Sequence, residues 1–200
     1  MYQIILASQS PRRVELLTKL GVPFTAIPSN YDERLDESRS AEEVATELAL
    51  GKANDVAGQH RDAFVIGSDT VVALDGRQME KPRDIADARE MLTTLAGRES
   101  TVSTGIAIVK AEEHIEQAGV ATTKVYFKPD SPEISKLREA YLASGDWKDK
   151  AGGYGIQSGA APLIERIDGE YDTIVGLPTT LLAEMLNGLG IHTTRTAGAA

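Results

Sequence analysis

Four polar side chains lie close together near the N-terminus, where the sequence changes from a strand pattern to a helix pattern. They are Ser8, Ser10, Arg12 and Arg13. A helix N-terminus presents free backbone N–H groups and a positive dipole end, to which hydroxyl and guanidinium groups add further donors. The combination predicts an anion site, and phosphate is the anion that we expect. The alternative is a capped helix whose arginines point into water.

The flanking residues predict the elements that position these side chains. Residues 4–6 form an apolar run that is typical of a buried strand. Ser10 followed by Pro11 is typical of a helix start, with the serine as the N-cap. Apolar residues then recur on one side of the predicted helix up to Leu20, and Gly21 ends it.

Asp69 is a carboxylate between two apolar runs, residues 63–66 and 71–74. We expect each run to be a strand, with residues 67–70 between them. An acid in such a position is costly to bury unless it has a partner. The structural alternative is an aspartate that caps its own turn. We favour a general base or metal ligand at the carboxyl end of a strand, where open α/β sheets place their sites.

Further charged residues point to the same chemistry. Ser40 and Glu43 form a capping box that predicts a helix to about Ala57, with Lys52 near its apolar side. Lys52 either points into a cleft or extends from a packed edge into water. Lys81 and Glu33 lie in predicted loops, where the usual environment is solvent. Cations would clamp a triphosphate and carboxylates would hold Mg²⁺, which predicts metal-assisted hydrolysis of a phosphoanhydride.

Composition narrows the class of protein. The chain has 200 residues, enough for one substantial domain or two lobes that share a sheet. It has no cysteine, which excludes disulfides, thiolate zinc sites and cysteine nucleophiles. The net charge of −9 argues against a nucleic-acid polymer as partner. Without a membrane-length apolar run or a signal-peptide pattern, we expect no membrane partner and a cytoplasmic enzyme.

The rest of the chain alternates helix and strand patterns. We expect helices over 85–95, from Pro132 to 144 and from Pro178 to Leu189, and strands over 101–109 and 120–127. Residues 163–167 and 173–175 read as the two arms of a hairpin. We expect a single domain over 1–192 and a flexible tail over 193–200.

Several motifs, in this order, resemble those of the Maf nucleotide pyrophosphatases. They are residues 6–13 with 15–17, residues 67–72, residues 81–84, Gly105, residues 151–157 and residues 175–178. The resemblance covers roughly residues 3–190. It implies a Maf/ITPase-like α/β fold with two lobes around an elongated mixed sheet and the nucleotide in the cleft between them. It also implies hydrolysis of a nucleoside triphosphate between the α- and β-phosphates, giving the monophosphate and pyrophosphate.

The resemblance also assigns roles. Asp69 matches the family's proposed general base, and Ser8, Ser10, Arg13, Glu33, Lys52 and Lys81 match positions that line the phosphate and metal site. Arg12, Thr70 and Gln157 match the branch that acts on dTTP and UTP, with modified pyrimidine nucleotides as further candidates. A glutamine amide suits the O4 and N3–H edge of uracil or thymine, although a flipped amide suits cytosine. The family further implies Mg²⁺ or Mn²⁺ and a cytoplasmic homodimer.

Two alternatives stay open at this point. The family has been linked to septum formation, so the chain could be a nucleotide-binding regulator of cell division whose turnover is incidental. A nucleotidyl transferase with the same phosphate clamp is the weaker alternative. Two departures from the family pattern, residues 158–161 and the acids Glu170 and Asp172, could alter rate or substrate preference. Asp32 and Glu37 compete with Glu33 for the metal.

Overall fold

The computed structural model describes residues 2–32, 34, 36 and 38–194. The strands in this part of the chain are β1 Ile4–Leu6, β2 Thr25–Ala26, β3 Phe64–Leu74, β4 Arg77–Met79, β5 Glu99–Lys110, β6 Ile115–Phe127 and β7 Ile164–Asp168. The α-helices are α1 Pro11–Lys19, α2 Ala41–Ala57, α3 Ile85–Leu95, α4 Pro132–Ser144, α5 Tyr171–Val175 and α6 Thr179–Gly188. Short 3₁₀ turns occupy Ala151–Gly153 and Ala161–Leu163.

The strands form one mixed sheet in the order β2-β1-β3-β5-β6-β7, with β4 paired to β3. β1 runs parallel to β2 and β3, and the other pairs are antiparallel. The sheet is long because β3, β5 and β6 have 11, 12 and 13 residues. This confirms the predicted α/β class and its elongated mixed sheet.

β3 is one continuous strand, so the predicted interruption at residues 67–70 is wrong. Residues 67–70 pair with 104–107 of β5 without a break in register. On the opposite edge of β3, β1 pairs with 64–66 and β4 with 72–74. Residues 67–71 therefore lack a partner on that edge among the described strands. Asp69 lies in the middle of a strand, at a gap in the sheet edge, and not at a strand end.

The alternation of side chains along β3 directs Asp69 toward α2. Val65 and Val71, which share its parity, lie in the apolar clusters that pack under this helix. Gly67 also faces α2, and a Cβ added there would lie 2.1 Å from the carbonyl oxygen of Ala49. At Gly105 an added Cβ would lie 2.2 Å from the carbonyl oxygen of Ala45. The two glycines thus allow the helix backbone to rest directly on the sheet.

Replacing Gly105 with alanine should separate α2 from the sheet. Because the opposing atoms are backbone atoms, the helix must move, and overpacking of this kind costs about 1–3 kcal/mol in the free energy of unfolding. Chemical denaturation measures the loss. Gly188→Ala is the matched control, since open space surrounds that position and alanine favours a helix. Equal stability of Gly105→Ala and the natural protein would contradict this account of the helix–sheet contact.

Two apolar clusters on the other face of the sheet form the cores of two lobes. The first joins β1, α1 and α6, and its fully buried members include Leu6, Leu17 and Leu182. The second joins α3, α4 and the chain around Trp147 and Tyr154. The predicted two-lobed arrangement is confirmed. None of the helices that the structure describes combines the length and apolar character needed to span a membrane.

Most helix and strand predictions are confirmed, including the Ser10 cap and the capping box of Ser40 and Glu43. The hairpin prediction is wrong in its second arm, because residues 171–175 form α5. Tertiary contacts override the β-branched composition there: Thr104 donates to the carbonyl of Thr173 at 2.7 Å.

The predicted tail is described only as far as Thr194. Its N–H donates to the carbonyl of Leu20 at 2.9 Å, which places it against the end of α1. Residues 195–200 lie outside the described part of the chain.

Candidate functional site

A cavity of about 750 Å³ opens at the gap in the sheet edge. It receives residues from α1, α2, β3, the segment 79–81 and the loop 149–158, and so lies between the two lobes. Eight of the predicted site residues line it: Ser10, Arg12, Arg13, Lys52, Asp69, Thr70, Lys81 and Gln157. Ser8 is buried beside the cavity and is not among the described lining residues. Glu33 lies outside the described residues, so its predicted place at the metal stays a prediction.

Lys52 and Asp69 form a buried ion pair at the floor of the cavity. Lys52 Nζ lies 2.5 Å from Asp69 Oδ1, and the two side chains are only 7% and 11% exposed. α2 presents Lys52 to the sheet one turn after Leu48, and the close contact at Gly67 brings it within reach. Of the two environments predicted for Lys52, the cleft is therefore the one observed. Asp69 has the partner that burial demands.

The turn between β1 and α1 is held by its own hydroxyl groups. The N–H of Ser10 donates to Ser8 Oγ at 3.1 Å, and the N–H of Arg13 donates to Ser10 Oγ at 3.5 Å. Ser8 thus stabilises the turn by accepting this hydrogen bond, while Ser10 lines the cavity. Pro11 has no N–H group, and the N–H groups of Arg13 and Val14 both donate to Ser10. The turn therefore offers an anion the positive end of the helix dipole and the two arginine side chains.

Arg13 is held by the backbone at the end of α5, which packs in the same lobe as α1. Its Nε donates to the carbonyl of Gly176 at 2.9 Å, and the buried hydroxyl of Ser68 donates to the same oxygen at 3.0 Å. The terminal nitrogens of Arg13 lie at 3.5 Å from Ser8 Oγ and Thr70 Oγ1. These contacts orient the guanidinium on the cavity wall, which Arg13 lines. A phosphate oxygen would make stronger, charge-assisted bonds there.

The hydroxyl proton of Thr70 is committed to the protein interior. Thr104 donates its own proton to the carbonyl of Thr173, so in the 2.9 Å contact between the two threonine hydroxyls Thr70 is the donor. Toward the cavity, Thr70 therefore presents an acceptor oxygen. An acceptor suits an N–H group of a ligand or the guanidinium of Arg13, and not a phosphate oxygen.

The wall opposite α1 is built by the glycine-rich loop 149–158. The N–H of Gly155 donates to the hydroxyl oxygen of Tyr141 at 3.1 Å, and burial raises the pKa of Tyr141 to about 12. That phenol thus stays neutral at working pH and serves as an anchor. The N–H of Gly152 donates to the carbonyl of Glu80 at 3.0 Å, which joins this loop to the segment that carries Lys81. Gln157 reaches the cavity from the same loop.

The cavity wall is cationic although the chain is acidic overall. Among the described residues, six cations line it, namely Arg12, Arg13, Arg34, Lys52, Lys81 and Lys150, against the three acids Asp69, Glu80 and Asp149. Sequence reasoning missed Arg34, Glu80 and Lys150. Their loops carry no periodic pattern, so only the tertiary fold brings them to this wall. The local balance is that of a pocket for a small, multiply charged anion.

The acidic residues of the cavity suit a metal ion that is bound partly by the ligand. They do not suit a site built from protein ligands alone. No group of three or more acidic or histidine side chains in the described chain is arranged to hold a metal. Asp69, Glu80 and Asp149 are the candidates among the described residues of the cavity wall, and Glu33 is a further predicted ligand. Mg²⁺ commonly uses one or two carboxylates together with phosphate oxygens and water. The donor set therefore suits a divalent cation that binds with a phosphorylated substrate.

The unusual acids Glu170 and Asp172 have a structural role at the start of α6. Asp172 accepts the hydroxyl proton of Thr179 at 2.6 Å. Glu170 accepts both the N–H and the hydroxyl of Thr180, at 3.2 and 3.0 Å. The carboxylate thus caps a helix whose N-cap residue, Pro178, has no side-chain donor or acceptor. Neither acid is among the described residues that line the cavity.

Comparison with known proteins gives a family for this arrangement. The sequence model of the Maf-like protein family matches residues 3–189. The chain is 43% identical to the dTTP/UTP pyrophosphatase of Dictyoglomus thermophilum, over 94% of this chain and 96% of that protein. It is 44% identical to the dTTP/UTP pyrophosphatases of Moorella thermoacetica, over 96% and 97%, and of Deinococcus radiodurans, over 94% of each. Among solved structures, a HAM1 protein from Coxiella burnetii aligns with 94% of this chain and all of its own, with 16% identity and a TM-score of 0.49.

Proposed function

The chain belongs to the Maf-like protein family, and on that premise we propose that it hydrolyses dTTP and UTP to the nucleoside monophosphate and pyrophosphate. Relatives that are 43–44% identical over nearly their whole length carry the name dTTP/UTP pyrophosphatase. Modified pyrimidine nucleotides are included in the proposal. The cytoplasmic location and the homodimer stay predictions.

One observation carries this proposal: a buried carboxylate lies on the wall of a cleft that is otherwise rich in cations. Arg12, Arg13 and Lys81 supply positive charge for a triphosphate chain, and Asp69 supplies a base where no other described acid is as deeply buried. Such preorganised charges stabilise the transition state of phosphoryl transfer because they oppose the charge that develops on it. Hydrolysis therefore fits this cleft better than binding alone.

The reaction follows from the positions of these groups. Lys52 engages Asp69 Oδ1, which holds the carboxylate in place and leaves Oδ2 to accept a proton from water. The water oxygen bonds to the α-phosphorus, and the bond between that phosphorus and the α–β bridging oxygen breaks. Pyrophosphate leaves with the bond electrons, and Arg13 and Lys81 bear its charge. Asp69 then releases its proton to solvent.

The proposal includes a divalent cation, Mg²⁺ or Mn²⁺. Asp69 and Glu33 are its proposed protein ligands. Glu80, a described acid on the cavity wall, is a further candidate ligand. When bound, the cation neutralises charge on the phosphate oxygens. Removal of divalent metal with a chelator should abolish turnover if this assignment is right.

Turnover of four triphosphates tests the proposal. The protein is incubated with dTTP, UTP, CTP or ATP and Mg²⁺, and the phosphate products are separated. Pyrophosphate from dTTP and UTP is the expected result. Orthophosphate as the first product would mean that a different bond is broken. Tight binding without product would favour the regulator of cell division instead.

Gln157→Ala tests the proposed base pocket. We expect the ratio of kcat/KM for dTTP to that for CTP to fall by about tenfold, because one good hydrogen-bonded contact is worth about 1–2 kcal/mol of discrimination. Binding of inorganic tripolyphosphate should not change, since it has no base. Gln117→Ala, at an exposed position of β6, is the matched control. An equal loss for every triphosphate would contradict the role of Gln157 in base recognition.

A further inference from the structure

The side chain of Lys150 lines the cavity because its stem packs over Gly155. A Cβ added to Gly155 would lie 2.4 Å from Lys150 Cε and 2.6 Å from its Cδ, so the lysine stem occupies the space that the glycine leaves open. Lysine stems commonly pack along other groups while the charged head stays in water. The slot over Gly155 restricts this side chain to the cleft, where it is only partly exposed.

The charged neighbours of this lysine make its position costly. Its ammonium donates to a neutral group, the carbonyl of Asp146, and no described carboxylate forms an ion pair with it. Burial and the positive charge of Arg12 lower its pKa, while Asp146 and Asp149 act in the opposite direction. Two cations from opposite walls thus face a common space. An anion between them would relieve the repulsion, whereas a neutral nucleobase would not.

We propose that Lys150 is a substrate-binding residue that holds the phosphate chain of the nucleotide together with Arg12. The proposal deepens the proposed function and rests on it for the identity of the substrate. The contact itself requires only a polyphosphate. Arg12 approaches from the start of α1 and Lys150 from the glycine-rich loop, so a bound phosphate chain bridges the two lobes.

Gly155→Ala should displace the side chain of Lys150 without removing its charge. The three atoms nearest to the new methyl group belong to flexible side chains, namely the Ser158 hydroxyl at 2.2 Å and the stem of Lys150, and the backbone of Gly155 is not left-handed. The loop can therefore keep its fold while the lysine is displaced. Combining this change with Lys150→Met should cost no more than Lys150→Met alone, because both remove the same contact.

Binding of inorganic tripolyphosphate, measured by calorimetry at fixed Mg²⁺ and pH, tests the proposal without turnover. Lys150→Met should raise Kd by about tenfold to a hundredfold, the usual effect of losing a charge-assisted hydrogen bond. Gly155→Ala should raise it in the same direction. Lys148→Met is the matched control: this exposed lysine lies 5.9 Å from the Trp147 ring and is not among the described lining residues. Its Kd should equal that of the natural protein.

The pH dependence gives a second readout. Because burial and Arg12 lower the pKa of Lys150, its charge is lost at a lower pH than that of an ordinary lysine. The advantage of the natural protein over Lys150→Met should therefore be full at neutral pH and shrink as the pH rises. An advantage that persists unchanged at high alkaline pH would count against a charged contact.

Substrate selectivity decides between a phosphate contact and a base contact. In Lys150→Met, kcat/KM should fall by the same factor for dTTP and CTP. An unchanged Kd for tripolyphosphate with a changed ratio of dTTP to CTP would overturn the proposal. If the natural protein cleaves a different bond but Lys150→Met still loses tripolyphosphate, the phosphate contact holds and the proposed reaction fails. Failure of the natural protein to bind tripolyphosphate would overturn the contact itself.

Discussion

Asp69→Asn should lower kcat for dTTP by at least about a thousandfold and leave KM within a few-fold of its original value. The amide keeps the shape of the side chain and can still accept from Lys52, but it cannot take a proton from water. General base catalysis alone contributes about 10²–10⁴ to the rate, and loss of the negative charge also weakens metal binding. Pyrophosphate release under saturating dTTP measures the effect.

Asp75→Asn is the control for this experiment. Asp75 directly follows the same strand, is exposed, and pairs with Arg98. The same chemical change there removes only a surface ion pair, which is worth about 0–1 kcal/mol. Turnover should stay normal. If Asp69→Asn retains more than about a tenth of the activity, Asp69 is not the base, since even the weakest general base contributes more than that.

The sequence predicted the parts of the site that local rules control. A Ser-Pro pair sets the start of α1, and the capping box at Ser40 sets the start of α2. From that start, helical spacing alone brings Lys52 near the apolar side. The cost of burying an acid then predicts a partner for Asp69 without naming it. The structure identifies this partner as Lys52, because the glycines at 67 and 105 bring α2 close to the sheet.

Other features could not be predicted because they depend on distant pairings. The cavity exists where β1 stops and β4 has not begun, and no property of residues 67–71 records the end of a neighbouring strand. Lys150 and Glu80 reach the wall through a backbone contact between residues 80 and 152. The short helix over 171–175 replaces a strand because contacts from Thr104 and Thr123 hold it. In each case contacts between residues distant in the sequence determine the feature, and the local sequence pattern does not.

Lys52→Met should lower both stability and activity, and the two losses can be separated. Methionine matches the lysine stem, but it leaves the Asp69 carboxylate buried without its cation. Breaking a buried ion pair from one side costs about 3–5 kcal/mol in the free energy of unfolding. Lys19→Met is the control, because Lys19 and Glu15 form a pair at 2.9 Å with side chains 50% and 61% exposed. That change should cost less than about 1 kcal/mol.

The double variant Lys52→Met/Asp69→Leu should recover most of this stability and none of the activity. With both charges gone, the site loses the desolvation penalty along with the attraction, and apolar replacements of buried ion pairs are often neutral or stabilising. Denaturant midpoints and dTTP turnover on the same preparations measure the two effects. A double variant as unstable as Lys52→Met would mean that α2 depends on Lys52 for packing. The pair would then hold the helix on the sheet, and orienting the base would be a consequence of that contact.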